Sequence, residues 1–309
     1  MSILFCWENG DAELWRNEFA SRLPDREFNV HPDVRSIYDV QYILTWMPPI
    51  GDLKRYPNLK AIFSIGAGCD HILRDPEVPR DIPIVRLIDD ASVRDMSHFA
   101  LHWALHFQRN FHIYAKQQRV RRWQRQPYHT VDKHCVGILG LGGMGISIAR
   151  LFADLGFEVA GWSRTRRKVD KVTCLAGLDE LPQLLGKTSI VVSVLPLTSD
   201  TDGLLNSERF ALMKDGSFLI NIGRGSVIND VDLIAALDSG KIAGAALDVF
   251  ATEPLLAEHP FWGHSHVHIT PHAAGPTNDT SAVAQIVSNI EKIERGEKPY
   301  PVWDWALGY

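Results

Sequence analysis

The sequence predicts an α/β protein of two domains, one of them built on a doubly wound parallel sheet. Three observations lead there. Short apolar runs alternate with segments of helical spacing along most of the chain, the pattern of βαβ units. The stretch 136–150, VGILGLGGMGISIAR, sets an apolar run, three spaced glycines and a helical pattern in direct succession. A length of 309 residues also exceeds the roughly 100–200 of a typical single domain.

Taken in order, residues 3–7 are the first expected strand. Residues 11–23 have helical spacing ended by Pro24, and 43–46 is a second strand closed by Pro48 and Pro49. An apolar run at 59–65 leads into GAGCDHI, where Gly66, Ala67 and Gly68 turn the chain toward a short helix. Backbone N–H groups at such a turn can hold a carboxylate, and an ordinary glycine turn fits the same residues equally well. After a strand at 83–88 the chain enters an apolar helical pattern through Phe99, Leu101, Trp103, Ala104, Leu105 and Phe107, so a domain boundary is expected near 92–98. The basic, aromatic stretch 112–129 has no clean period and is expected to be a solvated loop or a subunit-contact arm. Arginine interleaved with aromatics also occurs in nucleic-acid binders, but no such module accompanies it.

From residue 136 onward strands are expected at 136–139, 158–162, 190–195, 217–222, 242–249 and 267–269, with helices at 178–185 and 230–237. Right-handed crossovers then give a doubly wound sheet whose ligand cleft opens at the carboxyl ends of the strands. A closing helix at 282–293 is expected to cross back to the first domain.

Composition narrows the function classes. A net charge of −5 gives no general reason to expect nucleic acid or an anionic membrane as a partner. Cys6, Cys69, Cys135 and Cys174 lie far apart without a C-x-x-C, which fits reduced thiols better than disulfides or a zinc site. The N-terminal apolar run is too short for a signal peptide or membrane helix, so a cytoplasmic protein is expected, and the cysteine spacing gives no reason to expect a metal.

Gly140, Gly142 and Gly145 follow the run 136–139 as G-x-G-x-x-G and precede a helix, which is the Rossmann dinucleotide fingerprint. The first glycine permits the tight turn, the second lets backbone N–H groups approach a pyrophosphate, and the third lets helix and strand pack closely. Many such folds end the second strand on an acid that holds the adenine ribose. Here it runs into Ser163, Arg164, Thr165, Arg166, Arg167 and Lys168. Guanidinium suits a 2′-phosphate, with charge-assisted bonds contributing about 1.5–3 kcal/mol each, so NADP is expected over NAD. A solvated basic loop is the alternative.

Three later residues follow strand ends: Arg224 in NIGRG, Glu253 in LDVFATEPL and His272 in TPHAAG. Reduction of a keto acid calls for these types: a cation for the carboxylate, an acid for the carbonyl oxygen, and a carboxylate that keeps that acid charged. His272 titrates nearest neutrality and Glu253 would favour its imidazolium.

With GLGGMG, NIGRG, LDVFATEPL and TPHAAG in this order and spacing, the chain resembles the D-isomer-specific 2-hydroxyacid dehydrogenases along essentially its whole length. GAGCDHI, GWSRTRR and LDSGKIAGAALDVF point within that family to its NADPH-dependent glyoxylate/hydroxypyruvate reductase branch. The resemblance implies a flavodoxin-like substrate domain from residues 1–97 and 274–309, and a Rossmann domain from 98–273 with a dimerisation arm near 108–132. A homodimer follows from it, as does a role for the arm around Trp123 at the partner's site. Gly140, Gly142, Gly143, Met144 and Gly145 would cradle the cofactor's phosphates, and Ser163, Arg164, Thr165 and Arg166 its ribose phosphate. Leu195, Pro196, Ile222, Gly223, Arg224, Asp248, His272 and Gly275 would complete that site, with Asp248 near the nicotinamide. Trp46, Ala67, Gly68, Arg224 and His272 would hold the substrate. The implied reaction reduces glyoxylate to glycolate and hydroxypyruvate to D-glycerate.

Two other readings stay open. Trp46, Met47 and Trp123 would suit a roomier pocket for broader 2-keto acids or 2-keto sugar acids. A non-catalytic dinucleotide sensor, like the C-terminal-binding corepressors, shares the implied fold.

Overall fold

The computed structural model describes residues 2–8 and 10–308. Contacts divide the chain into two compact units, Met1–Ser92 with Thr277–Tyr309, and Val93–Pro276.

The first unit begins with strand Ser2–Cys6 (β1) and helix Ala12–Arg22 (α1), whose first turn is capped by Asp11 accepting from the Leu14 N–H at 3.0 Å. Strands Glu27–Val30 (β2), Val40–Thr45 (β3) and Ala61–Ser64 (β4), the short helix Asp70–Leu73 (α2) and strand Ile84–Val85 (β5) follow. The five strands are parallel in the order β2-β1-β3-β4-β5, the flavodoxin-like arrangement. Alternating side chains serve two cores, as the pleat requires. Ile3, Phe5, Tyr42 and Leu44 face Trp15 and Phe19 of α1, whereas Leu4, Ile43 and Ile62 face Leu53, Tyr56 and Ile72.

Helix Asp90–Gln108 (α3) contains the boundary in its first turn and leads to helix Phe111–Arg119 (α4). The second unit then winds through strand Cys135–Leu139 (β6), helix Gly143–Asp154 (α5), strands Glu158–Ser163 (β7) and Thr173–Ala176 (β8), helix Leu181–Lys187 (α6) and strand Ile190–Ser193 (β9). Helix Ser207–Leu212 (α7), strand Ser217–Asn221 (β10), helix Asp230–Asp238 (α8) and strands Ile242–Leu247 (β11) and Val267–Ile269 (β12) complete it. All seven strands are parallel, ordered β12-β11-β10-β9-β6-β7-β8. The order reverses between β6 and β9, which sets a crevice at their carboxyl ends. One face packs on Ala100, Ala104 and Phe107 of α3 with Ile148 and Phe152 of α5, and the other on Leu184 of α6, Phe210 of α7 and Leu233 of α8.

The last helix, Asp279–Glu294 (α9), returns to the first unit, where Ala282, Val283, Ile286 and Ile290 join the core of β1 and α1. No helix among the described residues is long and apolar enough to cross a membrane.

The structure corrects several sequence expectations. β2 and β8 were not anticipated, because each is a four-residue edge strand with a single buried position. The strand expected at 43–46 is Val40–Thr45, leaving Trp46 beyond it, and the one expected at 83–88 shrinks to Ile84–Val85. Part of the aperiodic 112–129 stretch is the helix α4, which starts after Asn110 breaks α3 with φ +60°. Its one fully buried residue is Gln117, so hydrophobic periodicity gave no signal. α7 was likewise not anticipated; it is six residues long, and its start is marked by Asn206 accepting from the Arg209 N–H.

Candidate active site

In the second unit the glycines after β6 behave as their spacing implies. Gly140 sits at φ +104°, a conformation that favours glycine, and its N–H donates to Trp162 O at 2.8 Å. A Cβ on Gly145 would stand 1.7 Å from Gly140 O, so only glycine lets α5 start this close to the strand end. Cβ atoms on Gly142 and Gly143 would meet nothing within 4 Å. The backbone there is open to a ligand, at the N-terminus of a twelve-residue helix whose first N–H groups lack intrahelical partners. Met144 is half-buried beside them. This cradle fits a dinucleotide pyrophosphate.

After β7, Ser163 is half-buried and Arg164, Thr165 and Arg166 are exposed. Ser163 Oγ donates to Thr165 O at 2.8 Å, shaping the turn. Arg166 is engaged by the Glu180 carboxylate and donates to Cys174 O at 2.9 Å. The bond from the Ala176 N–H, together with Arg166, holds the Glu180 carboxyl below its usual range.

The loops after β9, β10 and β11 are tied to one another. Leu195 is buried, and Thr201 Oγ1 donates to the Pro196 carbonyl at 2.6 Å. A Cβ on Gly223 would lie 2.6 Å from Leu195 O, and one on Gly225 1.9 Å from the Phe250 carbonyl carbon. Asn221 bridges the turn, accepting from the Gly223 N–H at 3.2 Å and donating to Arg224 O at 3.0 Å. Ile222 is buried behind it and Arg224 Nη1 donates to Gly223 O at 2.7 Å.

Glu253 and His272 meet across 2.8 Å, carboxylate Oε2 to imidazole Nδ1, and Glu253 Oε1 accepts from the Phe250 N–H at 2.9 Å. Burial works to raise the Glu253 carboxyl. The bonds from His272 and Phe250, with the charges of His272 and Arg224, outweigh it and hold that carboxyl below its usual range. Arg224, Glu253 and His272, far apart in sequence, are thus brought together. Asp248, 1% exposed, accepts from Thr270 Oγ1 at 2.6 Å and from the Ala273 and Ala274 N–H groups at 2.8 and 2.9 Å. His272 itself sits at φ +52°, a strained conformation of the kind that persists where surroundings over-determine it. Gly275 is exposed just beyond. Sequence reasoning missed Asn221, Gly225 and Thr270 as supports of this loop system; the second glycine of NIGRG was the one available signal.

In the first unit Ala67 and Gly68 are half-buried on the loop after β4. The Trp46 indole covers that loop: a Cβ on Gly66 would stand 2.7 Å from its Cζ3. The same indole lies on the His71 ring at 4.0 Å between centroids. Met47 is exposed and Trp123, in the second unit, fully so. Among the described residues Cys6, His31 and Asp52 bring three possible metal donors within 4.8 Å of one another. Asp52 is already held by Arg55 at 2.6 Å and Tyr56 at 3.3 Å, and burial pushes the Cys6 thiol up to about 11, so a cation would compete with both.

Comparison with known proteins gives a consistent picture. Residues 101–274 match the model of the D-isomer specific 2-hydroxyacid dehydrogenase NAD binding domain. A glyoxylate/hydroxypyruvate reductase A of Yersinia enterocolitica is 38% identical over 315 residues, covering all of both chains. The chain is similar in structure to a D-isomer specific 2-hydroxyacid dehydrogenase from Xanthobacter autotrophicus Py2 solved with NADPH and MES, at 37% identity and TM-score 0.96 over 100% of this chain and 99% of that one. An NADPH-dependent glyoxylate/hydroxypyruvate reductase from Sinorhizobium meliloti, solved with NADP and sulfate, is 32% identical with TM-score 0.94 over the same shares. The two sheet orders, the glycine cradle, the Glu253–His272 pair and these full-length likenesses place the chain in the D-isomer specific 2-hydroxyacid dehydrogenase family.

Proposed function

We propose that this protein reduces glyoxylate to glycolate and hydroxypyruvate to D-glycerate with NADPH, the second unit binding the cofactor and the first the substrate. The observation that carries this reading is the Glu253–His272 pair, held at 2.8 Å beside the Arg224 loop in a chain that also keeps the glycine cradle.

The cradle of Gly140, Gly142, Gly143, Met144 and Gly145 would hold the pyrophosphate of NADPH. Ser163, Arg164, Thr165 and Arg166 would face its 2′-phosphate, while Leu195, Pro196, Ile222, Gly223, Asp248 and Gly275 line the remainder. When bound, NADPH supplies the hydride that reduces the keto carbon. As the carbonyl oxygen gains charge, His272 gives it a proton, and the product leaves as the 2-hydroxy acid. Glu253 holds Nδ1, which fixes the ring so that Nε2 exchanges the proton. Arg224 would bind the carboxylate, and Ala67, Gly68 and Trp46 of the first unit are the further substrate-binding candidates. The arm near 108–132 supports a homodimer: Phe111, Val120, Trp123 and Tyr128 are large apolar side chains exposed along it. Four cysteines without a disulfide fit a reducing cytoplasm.

The test is initial-rate oxidation of NADPH and NADH by the purified protein with glyoxylate, hydroxypyruvate, pyruvate and a 2-keto sugar acid. Fast NADPH-dependent turnover of the first two is expected. Preference for the sugar acid would move the protein to a broader keto acid class. Tight NADPH binding without any turnover would replace the reductase with a dinucleotide sensor.

A further inference from the structure

The loop 66–68 is held by its three carbonyl groups, each from a different donor. The Leu87 N–H donates to Gly66 O at 3.1 Å, Arg86 Nε to Ala67 O at 2.8 Å, and the buried Ser64 Oγ to Gly68 O at 2.8 Å. In a planar trans peptide the carbonyl and the following N–H point to opposite sides. Fixing these oxygens therefore aims the N–H groups of Ala67, Gly68 and Cys69 away from the donors. Among the described residues, neither the Ala67 nor the Gly68 N–H donates to another atom of the chain.

The middle donor differs in kind from the other two, because it belongs to a guanidinium. We infer that Arg86 is a positioning residue for the substrate carboxylate, acting through the peptide it shares with no substrate atom: its cation on Ala67 O polarises the Ala67–Gly68 peptide and makes the Gly68 N–H a stronger, fixed donor. Hydrogen bonds in a chain strengthen one another, and a charged donor does so most. This rests on the proposed reading that the loop binds the carboxylate.

The backbone that carries Arg86 is held on both sides of the residue. Its N–H donates to Pro301 O at 2.8 Å and its carbonyl accepts from Gln285 Nε2 at 2.9 Å. Gln285 Oε1 in turn accepts from the Ile88 N–H at 3.1 Å, so this side chain of α9 holds the backbone on both sides of the arginine. On the loop's other flank, Ser64 Oγ also lies 3.4 Å from His71 Nε2, beneath Trp46.

The experiment pairs kinetics with NMR of glycine-labelled protein. Arg86→Met should raise KM for glyoxylate at least about tenfold, roughly 1.4 kcal/mol, with kcat and the Kd of NADPH little changed. Arg86→Lys, which keeps the charge, should recover part of the loss. The Gly68 amide should shift on adding oxalate to the wild-type NADP complex, and shift less in Arg86→Met. Should Arg86→Met not fold, Arg86→Gln replaces it, keeping a neutral donor and still raising KM severalfold. Unchanged kinetics in a variant whose wild-type parent shows the oxalate shift would overturn the role of Arg86 and leave the carboxylate loop standing. A Gly68 amide indifferent to oxalate in the wild type would remove the loop reading itself. Equal losses in kcat, KM and NADPH binding, with no recovery by lysine, would reduce Arg86 to a structural part.

Discussion

The backbone N–H of His272 donates to the carbonyl of Asp248 across 2.8 Å, so the residue carrying the imidazole is fastened directly to the chain just beyond β11. The Asp248 carboxylate takes Thr270, Ala273 and Ala274 at the same time. Residues 270, 273 and 274 thus hang from one buried side chain and His272 from the same residue's carbonyl, which together hold the φ of +52° at His272, a conformation that costs about 1–3 kcal/mol.

The pair this suspension presents is Glu253 and His272. His272→Ala should lower kcat by about 10²–10⁴-fold, the range for losing a general acid, while NADPH binding measured by fluorescence stays near wild type. Glu253→Gln keeps an acceptor for the Phe250 N–H but loses the charge, and should cost less than His272→Ala. Because the Glu253 carboxyl lies below its usual range, its contribution is fully present above the ordinary carboxylate value and is lost only as pH falls through the lowered one. Wild-type turnover at pH 5 should therefore still exceed that of Glu253→Gln. Near-normal kcat in His272→Ala would remove the proposed role.

The glycines of the cradle separate fold from binding. A methyl at Gly145 collides with Gly140 O, so Gly145→Ala should lower both Tm and NADPH affinity. One at Gly142 meets nothing in the protein, so Gly142→Ala should keep the wild-type Tm and lose affinity by an order of magnitude, roughly 1.4 kcal/mol. Full NADPH affinity in Gly142→Ala would mean that the pyrophosphate does not approach that peptide.

These two sites also mark what could be seen in the sequence. Gly140, Gly142 and Gly145 were legible because a strand, a turn and a helix leave a fixed spacing, and the buried strands β6, β9, β10 and β11 because both faces are apolar. The catalytic candidates were legible as residue types following strand ends. Edge strands β2 and β8 were not, since a strand with one neighbour needs no apolar run. Nor was the clamp at Asp248, whose partners are two backbone N–H groups and a threonine more than twenty residues away. Backbone donors leave no signature in side-chain order.

The basic loop divides its labour. Arg166 also serves Glu180 and the Cys174 carbonyl, so Arg166→Gln should weaken the preference for NADPH less than a change at Arg164. Arg164→Asp places an acid where an NAD-binding fold usually has one. It should lower the NADPH:NADH ratio of kcat/KM by about a hundredfold, roughly 2.7 kcal/mol. An unchanged ratio would make the loop a solvated charge cluster.

His102 and His106 of α3, His112 and Lys116 of α4, and His266 and His268 at β12 gather on one side of the second unit, with the His106 ring 4.8 Å from His268 and 6.0 Å from His112. Phe107 and Phe218, stacked at 4.5 Å, fill the space between them. Burial, then the neighbouring imidazoles, push His112 and His268 down to about 4. A folded histidine depressed in this way stays neutral while the unfolded chain takes up a proton near 6.5. Stability is thus complete above about pH 6.5 and falls toward pH 4, by up to about 1.4 kcal/mol per pH unit for each group. The urea midpoint should drop between pH 7 and 5, and His268→Gln should flatten that drop by removing one of the protons. A midpoint that does not move over this range would show that the unfolded chain gains no proton from this cluster, and one that moves equally in the variant would show that it gains none at His268.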